Sequence, residues 1–324
     1  MLGNLEILVD RRTFHRSVLL TTLAAPLASV GVAAAESRTE VPRHAVVEFG
    51  LPPAVETHEM VKLPGVPLVL VSQMSNSHLV KLGLDPATEE VAAARAFPLG
   101  ESDAMLHGLA LSRCYPGHVW ATHEGRNWLL LVDPGTADVN SALRIMRSIP
   151  VPDGGCGPHY VGEYDDMLWV GLKGSTQVLA INHTNPASYH LYTASRTPIF
   201  VARHPGTGEF YASQDETSQI LHINPRTRAT DQLPIPAAAG RTPVGLIAGP
   251  TGLVGRPARL GTPQQGTGTF GRIDNHGRLT WFHLESPEVS QAGLLHIAFD
   301  PPEKTIRPSA WLLGSSIICP LHQM

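Results

Sequence analysis

Short runs in which apolar and polar residues alternate, each closed by a turn, dominate this chain. His107-Gly108-Leu109-Ala110-Leu111, His118-Val119-Trp120-Ala121-Thr122 and Trp128-Leu129-Leu130-Leu131-Val132 follow one another, and Arg147-Ser148-Ile149-Pro150-Val151 completes a set. The same order returns in Leu168-Trp169-Val170-Gly171 with Gln177-Val178-Leu179-Ala180-Ile181, and again in Glu209-Phe210-Tyr211-Ala212-Ser213 with Gln219-Ile220-Leu221-His222-Ile223. Alternation with period two, bounded by Gly, Pro, Asn and Asp, predicts strands. The last run of each set carries proline: Glu48-Phe49-Gly50-Leu51-Pro52, Phe97-Pro98-Leu99-Gly100, Ile149-Pro150-Val151-Pro152, Leu233-Pro234-Ile235-Pro236 and, more loosely, Trp281-Phe282-His283-Leu284. Proline has no N–H to give a ladder, so these runs belong at an outer edge. Asp-Pro-like turns precede them at Leu84-Asp85-Pro86, Val132-Asp133-Pro134, Ile223-Asn224-Pro225 and Ile273-Asp274-Asn275.

A strand-and-turn unit recurring every ~42–50 residues predicts an all-β fold, a β-propeller of six or seven four-stranded blades. The count reaches six. The Gly-, Pro- and Thr-rich stretch Thr251 to Gly268 reads as a loop insertion or a degraded seventh blade. Ala45-Val46-Val47-Glu48-Phe49 has the character of an outer strand, whereas Leu294 to Phe299 and Ala310-Trp311-Leu312-Leu313 have that of inner ones. Pairing the N-terminal outer strand with the last blade would close the ring and remove its open sheet edges. The recurring Trp120, Trp169 and Trp311 read as packing between blades.

Composition narrows the partners. A net charge of −4 with no basic block argues against nucleic acid. Residues 1–35 read as an export segment: Arg11-Arg12-Thr13-Phe14-His15-Arg16, then a mostly apolar Ser17 to Val32, then Ala33-Ala34-Ala35. The arginine pair is of the twin-arginine type or belongs to an ordinary secretory signal. Residues 36–324 would then be one propeller domain, secreted or periplasmic, monomeric and without a membrane span. Cys114, Cys156 and Cys319 are either three buried thiols or, for the first two, a disulfide. Asn182-His183-Thr184 fits a glycosylation acceptor.

The repeats resemble those of the virginiamycin B lyase (streptogramin lyase) family. The phrases that carry the likeness are Leu106-His107-Gly108-Leu109-Ala110, Val119-Trp120-Ala121-Thr122-His123-Glu124, Phe270-Gly271-Arg272-Ile273-Asp274 and Glu48-Phe49-Gly50-Leu51-Pro52. The resemblance implies a propeller that opens a cyclic depsipeptide at its ester by elimination. In that chemistry a histidine takes the α-proton, and Mg²⁺ held by glutamates stabilises the developing enolate. The stretch matching the family's catalytic phrase is Gly293-Leu294-Leu295-His296-Ile297, which lacks the Glu and Pro and sets His296 one position out of register. No carboxylate follows Trp311, and Val244 stands where the preceding blade would carry histidine.

Three histidines do occupy the inward position that the resemblance implies: His58, His107 and His159, one from each of three successive repeats. They are the candidate base or metal ligands, with Glu59, Glu124 and Glu163 as the carboxylates nearest in register for a divalent metal such as Mg²⁺. Asp103 stands close in sequence to His107. The competing reading is structural, with each imidazole bonding a neighbouring backbone to lock the stack. The expected function is a lyase-like propeller acting on a cyclic or ester-containing small molecule held in the channel. The alternative is a propeller that binds without catalysis.

Overall fold

The computed structural model describes residues 47–249 and 269–283, together with strands Ile7–Val9, Gly252–Pro257, Leu294–Asp300, Thr305–Ala310 and Cys319–Pro320. Most of the expected export segment and of the Thr251 to Gly268 stretch lies outside them. The alternating runs become six antiparallel sheets in chain order. Blade one is Thr57–Lys62, Leu68–Gln73, His78–Leu84 and Val91–Pro98. Blade two is Leu106–Leu111, Val119–His123, Trp128–Asp133 and Arg144–Pro150. Pro158–Tyr164, Met167–Leu172, Gln177–Asn182 and Tyr189–Thr193 make blade three. Blade four comprises Pro198–Arg203, Phe210–Gln214, Gln219–Ile223 and Thr230–Pro234. Blade five follows with Pro243–Gly249, Gly252–Pro257, Thr269–Ile273 and Leu279–His283. The described strands of blade six are Leu294–Asp300, Thr305–Ala310 and Cys319–Pro320. The first strands of consecutive blades pack on one another in order, which makes the fold a β-propeller.

Burial follows strand position. The second strands of blades one to four are almost wholly buried, and the fourth strands are half-buried to exposed. Pro98, Pro150 and Pro234 therefore stand where a missing N–H costs little. The core lies between blades. Leu70, Leu79 and Leu106 join blades one and two, while Trp120, Val161 and Leu168 join two and three. Trp169 is sandwiched between Tyr192 and Phe210, with near-parallel rings 5.6 and 3.5 Å away, and helps join blades three and four. Fully burying one such large side chain contributes roughly 1.5–3 kcal/mol.

Two sequence expectations are corrected. Val47–Phe49 takes Ile7–Val9 as its antiparallel partner, within a separate small unit of residues 6–50. Its pairing with the last blade is not among the described pairings; an edge strand bonds whichever extended segment meets its open N–H and C=O groups, and apolar Ile7-Leu8-Val9 does so. Gly252–Pro257, in the stretch expected as a loop insertion or a degraded blade, is the second strand of blade five, paired through Leu253 to Ala248 on one side and Ile273 on the other. Ladder bonds on both sides outweigh the poor strand propensity of Gly and Pro there. Among the described residues no helix is long and apolar enough to cross a membrane.

One local irregularity recurs in all six first strands. The register against the second strand slips by a residue between Thr57 and Met60, Leu106 and Leu109, Pro158 and Tyr160, Pro198 and Val201, Pro243 and Leu246, and Leu294 and His296. A bulge bends the strand and re-aims a side chain. His58, His107 and His159 are at this bulge in blades one to three, and Ile199, Val244 and Leu295 are there in blades four to six.

A hydroxyl on the second strand pins the bulge from both sides. Ser72 Oγ accepts the Glu59 N–H at 3.0 Å and donates to the His107 carbonyl of the next blade at 2.6 Å. Thr122 Oγ1 accepts from the Gly108 N–H at 2.8 Å and donates to the His159 carbonyl at 3.2 Å. Ser213 repeats the pattern with the Phe200 N–H at 3.1 Å and the Val244 carbonyl at 2.5 Å. Blade three has Gly171 instead. A Cβ there would meet the carbonyls of Ile199 and Pro198 at 2.9 and 3.0 Å, so the next blade's backbone occupies the hydroxyl's place. The staple satisfies buried backbone groups that would otherwise cost about 1–3 kcal/mol each.

Candidate functional site at one rim of blades one to three

The bulges bring the three predicted imidazoles into one row. The rings of His58 and His107 lie 4.0 Å apart between centroids, and those of His107 and His159 3.7 Å, both edge to face. Because Ser72 and Thr122 hold the carbonyls of His107 and His159, two of the three are anchored at the backbone as well. Glu124 completes the group. Its Oε2 accepts hydrogen bonds from Nδ1 of His107 and Nδ1 of His159, each at 2.8 Å. His107 is buried at 3% exposure, while His159 and Glu124 have side chains 13% and 12% exposed.

Glu124 holds this place through a repeat position. It is the first residue past the second strand of its blade, and its N–H bonds the Met105 carbonyl ahead of the first strand. Met74, Lys173 and Asp215 take the same place in blades one, three and four, with N–H bonds to Glu56, Gly157 and Thr197. One rim therefore carries a carboxylate, an ammonium and a carboxylate in succession.

The electrostatics favour neutral imidazoles beside a charged carboxylate. Burial lowers the pKa of His107 to about 4, against an opposing pull from Glu124; His159 and the exposed Lys173 lower it further. His159 is lowered for the same leading reason, with Lys173 and His58 adding to it. Burial pushes Glu124 up, but the bonds from His107 and His159 prevail and hold it well below the usual carboxylate range. A neutral ring that gives its Nδ1 hydrogen to a carboxylate keeps Nε2 unprotonated, so it is fixed as a base or ligand at that atom. Asp215 is raised chiefly by burial, and Lys173 offsets part of that rise.

Glu59, Glu163 and Asp103 have further neighbours of their own. Glu59 is half-buried beside its own bulge, and its charge acts on the half-buried Tyr160, whose phenol is raised well above its usual range first by burial, then by Tyr164 and Glu59. Glu163 is near the far end of the first strand of blade three, in a separate buried cluster with His183. Asp103 pairs with Arg126 at the surface. Ligand atoms of His107, Glu124 and His159 come within 4.8 Å of one another. Mg²⁺ prefers a near-octahedral shell of oxygens. Two imidazoles and one carboxylate oxygen already bonded to both do not provide it, so this group does not fit Mg²⁺.

Comparison with known proteins places the fold. A streptogramin B lyase is similar at 16% identity, over 78% of this chain and 79% of that one, with a TM-score of 0.59. A catalytically inactive virginiamycin B lyase from Staphylococcus aureus with quinupristin is similar at 15% identity, over 82% and 88%, with a TM-score of 0.58. The extracellular domain of a one-component system from B. thetaiotaomicron gives 10% identity, over 83% of this chain and 35% of that one, with a TM-score of 0.57. No family model and no curated protein sequence matches. The chain shares its propeller fold with those lyases. At such identities the likeness concerns the fold, and the relation to those lyases is distant.

Lys173 was missed in the sequence, although its repeat position is that of Glu124 and was available as a signal. The partnership of Cys114 and His183 with Glu163 was missed as well. Those three come from a turn of blade two and from a strand and a turn of blade three, and no spacing rule links them. Cys114 and Cys156 are free thiols here, not a disulfide.

Proposed function

We propose that this protein is an exported, lyase-type propeller that eliminates a C–O bond in a cyclic or ester-containing small molecule bound at the rim of blades one to three. The observation that carries the reading is the shared carboxylate: one oxygen of Glu124 fixes the tautomer of both His107 and His159. The Nε2 lone pair of one ring takes a proton from the carbon α to a carbonyl. The electron pair released forms a C=C bond as the β C–O bond breaks, and the oxygen leaves as a carboxylate. No water is consumed, and from a cyclic substrate the product is an isomer with its ring opened. Lys173 supplies positive charge beside the two rings, where the enolate oxygen develops. His58 extends the row and borders the bound molecule. The arginine pair and apolar run of residues 11–35 support export.

A panel of cyclic depsipeptides and lactones, followed by mass spectrometry, tests this. Ring opening at unchanged mass, lost in H107A/H159A with the fold retained, is the expected result. Mass gain of one water would mean hydrolysis. Binding without turnover in the native chain would replace the proposal by a non-catalytic ligand-binding propeller.

A further inference from the structure

At the opposite end of the strands of blades two and three lies a second group of metal-ligating side chains. Cys114 stands in the turn after the first strand of blade two, Glu163 at the end of the first strand of blade three, and His183 just past that blade's third strand. One ligand atom from each lies within 4.8 Å of the others. His183 is 1% exposed, and neither of its ring nitrogens makes a hydrogen bond. Its Nε2 is 3.3 Å from Glu163 Oε1. A buried imidazole with both nitrogens unmatched is costly unless something else is bound there.

We propose that Cys114, Glu163 and His183 form a zinc-type site that ties the first turn of blade two to blade three. The donor set is a thiolate, an imidazole and a carboxylate oxygen, which together select Zn²⁺ over Mg²⁺ or Ca²⁺. The carboxylate is already held in place. Glu163 Oε1 accepts from Trp120 Nε1 at 2.8 Å, Ser112 Oγ lies 3.1 Å from both oxygens, and Oε2 accepts from the N–H groups of Arg113 and Cys114. Such outer bonds orient a ligand and raise its affinity for metal. Cys114 is exposed, which leaves the fourth tetrahedral position to water on the solvent side. The surroundings suit a cation: Glu163, Asp165 and Asp166 put negative charge around the thiol. The nearby cations are turned elsewhere, with Arg113 over the Tyr164 ring and Arg147 on the His183 carbonyl. On binding, Cys114 gives its proton to solvent and its sulfur to the metal, ending its present bond to the Asp165 carbonyl.

The test uses the full chain, stripped with a chelator and titrated with Co²⁺ and then Zn²⁺. One equivalent of Co²⁺ should produce a thiolate-to-cobalt charge-transfer band that Zn²⁺ abolishes. C114S and H183Q should each lose the band and weaken Zn²⁺ binding by about a hundredfold or more. C156S and H107A/H159A should keep it, which separates this site from the rim cluster. Circular dichroism reports whether each variant folds, and H183Q, which leaves every cysteine in place, decides if C114S does not. A band that survives both substitutions, or no band in the native chain, overturns the proposal.

Discussion

His107 and His159 come from different blades, yet each donates its Nδ1 hydrogen to the same oxygen of Glu124 at 2.8 Å. One carboxylate thus sets the tautomer of two bases across a blade interface. E124Q would leave the shape of the group but remove the charge and one of the two acceptors. If the site works by general base catalysis, E124Q and either single His→Ala should lower kcat/KM by roughly 10²–10⁴. Steady-state kinetics on any substrate found by the ring-opening screen checks this. Equal rates in native and E124Q protein would remove Glu124 from the mechanism.

Lys173 provides a separate handle. Its charge lowers the pKa of both His107 and His159, so K173M should move both upward. The measurement is the histidine pKa by NMR titration, with the acid limb of the pH–rate profile as its kinetic counterpart. That limb should shift to higher pH in K173M.

Acid should unfold the protein from pH 6.5 downward. The pKa of His107 falls from 6.5 to about 4 through burial, and that of His123 from 6.5 to about 4 through burial and the nearby Arg126. The unfolded chain then binds more protons between these values, so stability rises with pH across that window and is lost as pH falls through it. His123 alone accounts for on the order of 3 kcal/mol by pH 4. Its Nε2 is also buried without a partner. H123L should therefore flatten the decline in Tm between pH 6.5 and 4, and an unchanged slope would remove His123 as a cause.

The hydroxyl staples predict graded losses. T122V and S213A each strand two backbone groups, one at the residue's own bulge and one on the next blade, and should each cost about 2–6 kcal/mol. G171S should not gain a staple, because carbonyls of blade four already stand 2.9–3.0 Å from where its Cβ would be. Denaturant melts of the three variants check this, and a stabilised G171S would contradict the packing argument.

The propeller was legible because repetition exposes it: proline at the outer edge, Asp-Pro turns and alternation recur together in successive units. The row of imidazoles was legible for the same reason, since His58, His107 and His159 share a repeat position, and their convergence needed only consecutive blades. Glu163 shows where this reasoning stops. It is near the far end of the strand that carries His159 and meets His183 instead, so nearness in register did not become nearness in space.

Local periodicity by itself determined the strands, their order and the shared repeat position of the three histidines, because each depends on contacts within a repeat or between adjacent ones. Tertiary packing alone decided that Glu124 bridges two rings, that Lys173 charges the same rim and that Cys114 meets His183 beside Glu163. Those meetings depend on how far each turn reaches across a blade interface, and on a one-residue bulge that re-aims a side chain. Neither leaves a mark in the alternation of apolar and polar residues.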